Sequence, residues 1–134
     1  MANSDSHIYQ LKTKDIAASI RTQTRTARSV LEHYLDRIDK FNPTLNAVIF
    51  RDDEKARQNA DQIDARIKAG ETLGPLAGVP MTIKDAFEVT GMTCDIGVPA
   101  FKGQISTQSA TDVSRLENAG ALIIGKTNTP YLCS

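Results

Sequence analysis

Two lysines stand where chemistry is possible. Lys84 closes the run VPMTIK, Val79 to Lys84, and Asp85 follows it. Lys126 closes ALIIGK, and Thr127 and Asn128 follow it. A neutral lysine amine is a base or a nucleophile; a protonated one holds phosphate or carboxylate. The second lysine also belongs to GALIIGKT, Gly120 to Thr127, which spells the phosphate-loop pattern G-x-x-x-x-G-K-[ST]. Which lysine does chemistry depends on the elements that carry each one.

A phosphate loop needs a strand before its first glycine, a coil of backbone N–H groups, and a helix starting at the lysine. Here the order is reversed. SATDVSRLENAG predicts a helix with Val113 and Leu116 inward, ending at Gly120. Ala121, Leu122, Ile123 and Ile124 suit a buried strand better than a phosphate cradle. Thr127, Asn128, Thr129 and Pro130 make a poor helix start. ALIIG is therefore predicted as a strand and KTNTPYLCS as a turn, and nucleotide binding is the weakest reading of the motif.

Around the first lysine, Gly74-Pro75 and Gly78 mark turns. An extended chain from Val79 points Val79, Met81 and Ile83 one way, and Thr82 and Lys84 the other. The following stretch, rich in Gly, Thr, Ser and Pro, predicts a long loop, a frequent carrier of function. Strand, loop, helix, strand is a βαβ unit with two parallel neighbours. It brings Lys84, Asp85, Lys126, Thr127 and Asn128 to the carboxyl ends of strands, where open α/β sheets hold ligands.

Upstream, residues 1–10 read as frayed. A short helix is predicted from Thr13 over DIAASI. TRTARSVLEHYLDRIDKF predicts a second, with Val30, Leu31, Tyr34, Leu35 and Ile38 as its apolar stripe and Thr24 or Thr26 as its cap. Pro43 is expected to end it shortly before the proline. NAVIF, Asn46 to Phe50, reads as a strand. A third helix then starts near Asp52 and Asp53, buries Ala56, Ala60, Ile63 and Ile67, and is capped by Gly70. The expected fold class is α/β. An N-terminal helical segment spans about 13–42. An α/β core portion over about 46–134 holds part of a mixed, largely parallel sheet covered by helices.

The 134 residues suffice for one domain, and 40% hydrophobic with 24% charged residues is the composition of a soluble globular chain. Sixteen basic and sixteen acidic residues leave no positive excess for nucleic acid. No apolar run approaches the roughly 20 residues of a membrane span. The polar N-terminus lacks a signal-peptide core, so a cytoplasmic protein is expected. Two cysteines, Cys94 and Cys133, read as reduced thiols. With two histidines, His7 and His33, they form no zinc-like cluster, and no metal or cofactor is expected. His33 falls in a helical pattern and reads as a helix-surface residue.

GPLAGVPMTIKDAFEVTGMTCDIGVPAF, followed by SATDVSRLENAGALIIGKTNTPYL, resembles the amidase signature family of serine amidohydrolases. LDRIDKFNPTLNAVI resembles that family's N-terminal helix and first strand. The likeness runs from about Ile16 to the end, as the first portion of a single, longer amidase domain. It implies a Ser–Ser–Lys triad in which the lysine of TIKD, Lys84, is the base. Neutral Lys84 would take a proton from a bridging serine held by a cis peptide bond. That serine would deprotonate the nucleophilic serine that attacks a linear carboxylic amide, releasing ammonia or an amine. Backbone N–H groups would hold the oxyanion. Both serines belong to a Gly- and Ser-rich segment expected downstream of KTNTPYLCS. Ser106, Ser109, Ser114 and Ser134 match neither.

The resemblance thus implies that this chain supplies only Lys84 and hydrolyses nothing alone. Its partners would be a small-molecule amide and a second chain or continuation bearing the serines. The chain would then be a cleaved or split piece, or a truncated product. Lys126 is read as structural, bonding carbonyls or a carboxylate near the site; Asp85 and Asn128 are read as loop-fixing. Thr93 to Phe101 would line the site, with Cys94 in a packing role, and Tyr131 and Leu132 would border a substrate channel. The alternatives are the A-type component of a glutamyl-tRNA amidotransferase and a non-catalytic fragment.

Overall fold

The structure, a computed structural model, describes residues 7–134. Residues 1–6, part of the start read as frayed and without a signal sequence, lie outside them. The rest of that start is ordered by burial. Ile8–Gln10 form a 3-10 turn, and Ile8 is 2% exposed against the helical core. Burying one isoleucine contributes about 1.5–3 kcal/mol toward holding the turn in place.

Helix α1 (Thr13–Arg21) buries Ile16, Ala17 and Ile20. Helix α2 (Ala27–Leu45) begins at Thr26, whose Oγ1 accepts from the Ser29 N–H at 3.0 Å. Val30, Leu31 and Leu35 are buried, with Tyr34 and Ile38 at the margin of the same core. Pro43 does not end this helix. The chain turns once more to Leu45 and stops at Asn46, in the left-handed region at φ 48°. The proline removes only its own N–H from the last turn. Asn42 offsets that loss by donating Nδ2 to the Val48 carbonyl and accepting from its N–H, both at 2.8 Å.

Helix α3 (Asp53–Lys68) is capped by the Asp52 carboxylate, which accepts from the Lys55 N–H, and buries Ala56 and Ala60. It also caps α2. The Asp64 carboxylate accepts from the N–H groups of Ala27 at 2.7 Å and Arg28 at 3.0 Å. Gly70, at φ +82°, carries the chain off the helix end.

Three strands form a mixed sheet in the order β1 (Val48–Arg51), β3 (Leu122–Thr127), β2 (Pro80–Lys84). β1 is antiparallel to β3 and β2 is parallel to it. Helix α4 (Thr111–Asn118) lies in the β2–β3 crossover, with Val113 buried and Leu116 packed inward. In β3, Leu122 and Ile124 face α1, α2 and α3, while Ile123 faces Ile83, Val89, Met92 and Val113. Helices on one face and α4 with its loop on the other explain the unbroken apolar run.

Two expectations about these strands need correction. β3 does not stop at Gly125. Lys126 and Thr127, read as turn, continue it, pairing with Phe50 and Val48 on one side and with Ile83 and Lys84 on the other. Partners on both sides satisfy their backbone groups better than a turn would. Nor does Val79 share a side with Met81 and Ile83. It precedes β2 in a turn, its N–H donating to the Leu76 carbonyl at 3.0 Å, and joins the α1–α3 core. Met81 and Ile83 join the opposite one, and the ladder shifts register between Met81 and Thr82.

Candidate active site

Lys84 is the last residue of β2 and stands opposite Thr127 of β3. Its side chain is exposed, and among the described residues no hydrogen bond or ion pair reaches it. Lys84 follows Thr82 by two positions, so both leave the strand by one face. Thr82 and Thr127 there help line an apolar cavity of about 540 Å3 with Tyr34, Ile38, Phe41 and Val48. A second cavity, of about 290 Å3, lies between α3 and β3, away from the strand ends.

Lys126 has the opposite fate. It is 0% exposed, as is Asp85. Its Nζ donates to the Thr93 carbonyl at 2.6 Å and to Asp85 Oδ1 at 3.1 Å. The other Asp85 oxygen, Oδ2, accepts from the N–H groups of Asp95 and Ile96, each at 2.9 Å. The Asp85 N–H donates to the Thr127 carbonyl at 3.0 Å, and its own carbonyl accepts from the Cys94 thiol at 3.0 Å. Both charges are matched within hydrogen-bond distance, as burial demands.

The loop that answers Asp85 is also tied to the chain's last turn. Ile96 sits at φ 46°, and its carbonyl accepts from the Leu132 N–H at 2.9 Å. Gly97, at φ +70°, lies so close to Pro130 that a Cβ there would fall 2.9 Å from the Pro130 carbonyl oxygen. Tyr131 and Leu132 are exposed beside this loop. Cys94 is half-buried, and burial pushes its thiol up. Asn128 joins two loops, its Nδ2 donating to the Asn46 carbonyl at 3.2 Å and its Oδ1 accepting from the Thr129 N–H at 2.9 Å.

Ser106, Ser109, Ser114 and Ser134, which match neither serine of the triad, make no hydrogen bond to Lys84. Ser109 Oγ accepts from the Thr90 N–H at 3.0 Å, and Ser134 Oγ donates to the Tyr131 carbonyl at 2.7 Å. His33 lies on α2, stacked on Tyr9 with ring centroids 6.1 Å apart. Among the described residues no group of three or more His, Cys, Asp or Glu is placed to hold a metal ion. None of their helices is long and apolar enough to cross a membrane.

The sequence marks both strand-end lysines, and the reading of Lys126 as a structural residue that bonds carbonyls or a carboxylate agrees with its bonds to Thr93 and Asp85. It leaves Asp85 as a loop-fixing residue without showing that it and Lys126 are one buried unit. A signal was present: a charged residue continuing an apolar strand requires an opposite charge nearby, and Asp85 lies two residues beyond Ile83, the ladder partner of Lys126.

The family model described as Amidase matches residues 29–133, and the chain belongs to that family. It is 36% identical over 126 residues to an acylamidase of Rhodococcus erythropolis, covering 94% of this chain and 26% of that protein. It is 40% identical over 114 residues to the A-type component of the glutamyl-tRNA(Gln) amidotransferase of Acidothermus cellulolyticus, covering 85% and 23%. Among solved structures, the native peptide amidase of Stenotrophomonas maltophilia superposes with a TM-score of 0.85 at 28% identity, covering 95% of this chain and 26% of that one. The chain spans about a quarter of the length of these relatives.

Proposed function

We propose that residues 1–134 are the N-terminal portion of one amidase domain, with a helical segment over about 13–42 and an α/β portion over about 46–134. In this reading Lys84 is the base of a Ser–Ser–Lys triad that cleaves linear carboxylic amides. Both serines come from a continuation or a second chain. The observation that carries the reading is the contrast between the two strand-end lysines. Lys126 has its ammonium consumed by Asp85 and Thr93, whereas the Lys84 amine is open to an incoming group. A segment covering Lys84 would remove water from it and favour the neutral amine that a base requires.

The chemistry divides accordingly. Lys84 accepts the bridging serine's proton and returns it as the amine leaves. The serines supply the bond-forming oxygen. The rest of this chain holds Lys84 at the strand end. The kinship with the A-type components of amidotransferases supports a second reading, in which the same site releases ammonia from glutamine for transfer. A glutaminase assay with and without partner subunits separates the two.

The test has two stages. Purified 1–134 is expected to leave simple amides intact and to gain turnover when the serine-bearing chain is added. In the completed enzyme, Lys84→Ala is expected to lower kcat by about a thousandfold or more while the fold survives. Turnover by 1–134 alone sinks the division of labour, and near-normal kcat in Lys84→Ala sinks the assignment of the base.

A further inference from the structure

A triad based on Lys84 makes no direct use of the sealed pair one residue away. Taking two charges out of water is costly, and a buried ion pair is often no more stabilising than apolar residues of similar size. Its position at the strand end therefore calls for a role beyond stability. We infer that Asp85, with Lys126 as its counter-charge, is a positioning residue for the amide-cleaving reaction. It fixes the backbone at Lys84 and clamps the loop 93–97 beside it. This rests on Lys84 being the base.

Three ties carry the inference. The Asp85 N–H donates to the Thr127 carbonyl, so the chain leaving Lys84 is held to β3 one step past the end of β2. Asp85 Oδ2 accepts from two successive N–H groups, those of Asp95 and Ile96. Such a pair is an anion-binding concavity, here filled by the protein's own carboxylate. It holds Ile96 at φ 46°, a region a β-branched residue enters only when its surroundings impose it. Lastly, Lys126 links Asp85 Oδ1 to the Thr93 carbonyl, gripping the loop at its near end. Through Ile96 and Gly97 the clamp extends to Pro130 and Leu132. Asp85, through its backbone N–H and its carboxylate together, therefore sets the relative placement of the base, the loop and the turn at Tyr131–Cys133. A displacement of about 1 Å at a reacting group costs roughly 100-fold in rate.

The test uses the enzyme completed with its serine-bearing chain. kcat and KM, per folded molecule, are measured for the wild type, Lys84→Ala, Asp85→Asn and the double variant Asp85→Asn with Lys126→Met. In parallel, an aromatic disulfide reagent is added and its adduct at Cys94 followed by mass spectrometry. Cys94 is half-buried and donates to the Asp85 carbonyl, so it reports on the clamp. Asp85→Asn is expected to lower kcat about 100-fold with KM within about threefold, and to speed Cys94 modification at least about tenfold. The double variant buries no unpaired charge. It is expected to fold yet keep both defects, and it decides the matter if Asp85→Asn does not fold. Wild-type kcat in the double variant, with Lys84→Ala inactive, overturns this inference alone. Near-normal kcat in Lys84→Ala overturns the base assignment, and this inference with it.

Discussion

Lys126→Met tests the buried pair through stability rather than rate. Methionine keeps an unbranched chain of similar length, so little cavity forms. What changes is charge. Asp85, 0% exposed, keeps its two N–H donors but loses the cation paired with it, and the Thr93 carbonyl loses the donor 2.6 Å away. Breaking a buried pair from one side costs about 3–5 kcal/mol. With a urea m-value of about 2 kcal/mol per molar, the unfolding midpoint falls by roughly 2 M. The assay is urea unfolding of 1–134 at neutral pH, followed by far-ultraviolet circular dichroism. Lys84→Met is the matched control: the same substitution at the partner strand end, on an exposed side chain with no bond to another described residue. Its midpoint is expected within about 0.3 M of wild type. Adding Asp85→Asn to Lys126→Met is expected to recover part of the loss. Equal midpoints for Lys126→Met and Lys84→Met would refute the reasoning, because burial would then not distinguish the two lysines.

Two further predictions concern the scaffold. A Cβ on Gly125 would fall 2.3 Å from the Phe50 carbonyl oxygen, a backbone atom with no room to yield. Gly125→Ala is therefore expected to cost at least about 1–3 kcal/mol and to strip hydrogen-exchange protection from β1 while β2 keeps its own; unchanged protection on β1 would contradict it. Glu32 is held down to about 2, first by its hydrogen bond to Arg57 and then by Arg28. A carboxyl lowered in the folded state stabilises above its unfolded value, about 4.5, and that contribution is lost as pH falls toward 2. The site is about a third exposed, so the effect is discounted to about 0.5 kcal/mol. Glu32→Gln is expected to lower the urea midpoint at about pH 6 and to match wild type near pH 2; a deficit that persists in acid would show that the ion pairs are not its cause.

Local chemistry was readable in the sequence; its tertiary overrides were not. The stripe of α2, the Asp52 start of α3 and the buried faces of Ala56 and Ala60 follow from period and capping, and the structure places them accordingly. Pro43 misleads because a proline's cost depends on which hydrogen bond it removes and on what compensates, here Asn42 bridging to Val48. Val79 misleads because alternation holds only inside a regular strand, and the turn and register shift beside it reverse its side. The extension of β3 through Lys126 could not be inferred from KTNT alone. A lysine belongs in a buried strand only if an opposite charge is brought to it, and Asp85 is 41 residues earlier in the chain.

That dependence is also what separates the two lysines. In sequence each is a basic residue closing an apolar run, and the phosphate-loop spelling draws attention to Lys126, although the order of elements around it argues against a phosphate cradle. Three-dimensional pairing agrees with the structural reading of Lys126. The lysine that looks like part of a binding motif is satisfied by its own protein, with a carboxylate and a carbonyl in reach and no exposed surface. Removing either partner would leave the other's charge buried and unmatched. Lys84 faces no such penalty, since no described residue is bonded to its charge. A base must change protonation during each turnover, and in the proposed mechanism that task falls to the lysine whose charge the fold does not need. The same argument explains why the two lie so close. In the proposed mechanism the buried pair holds the strand end, and Lys84 is mounted beside it with its amine unengaged.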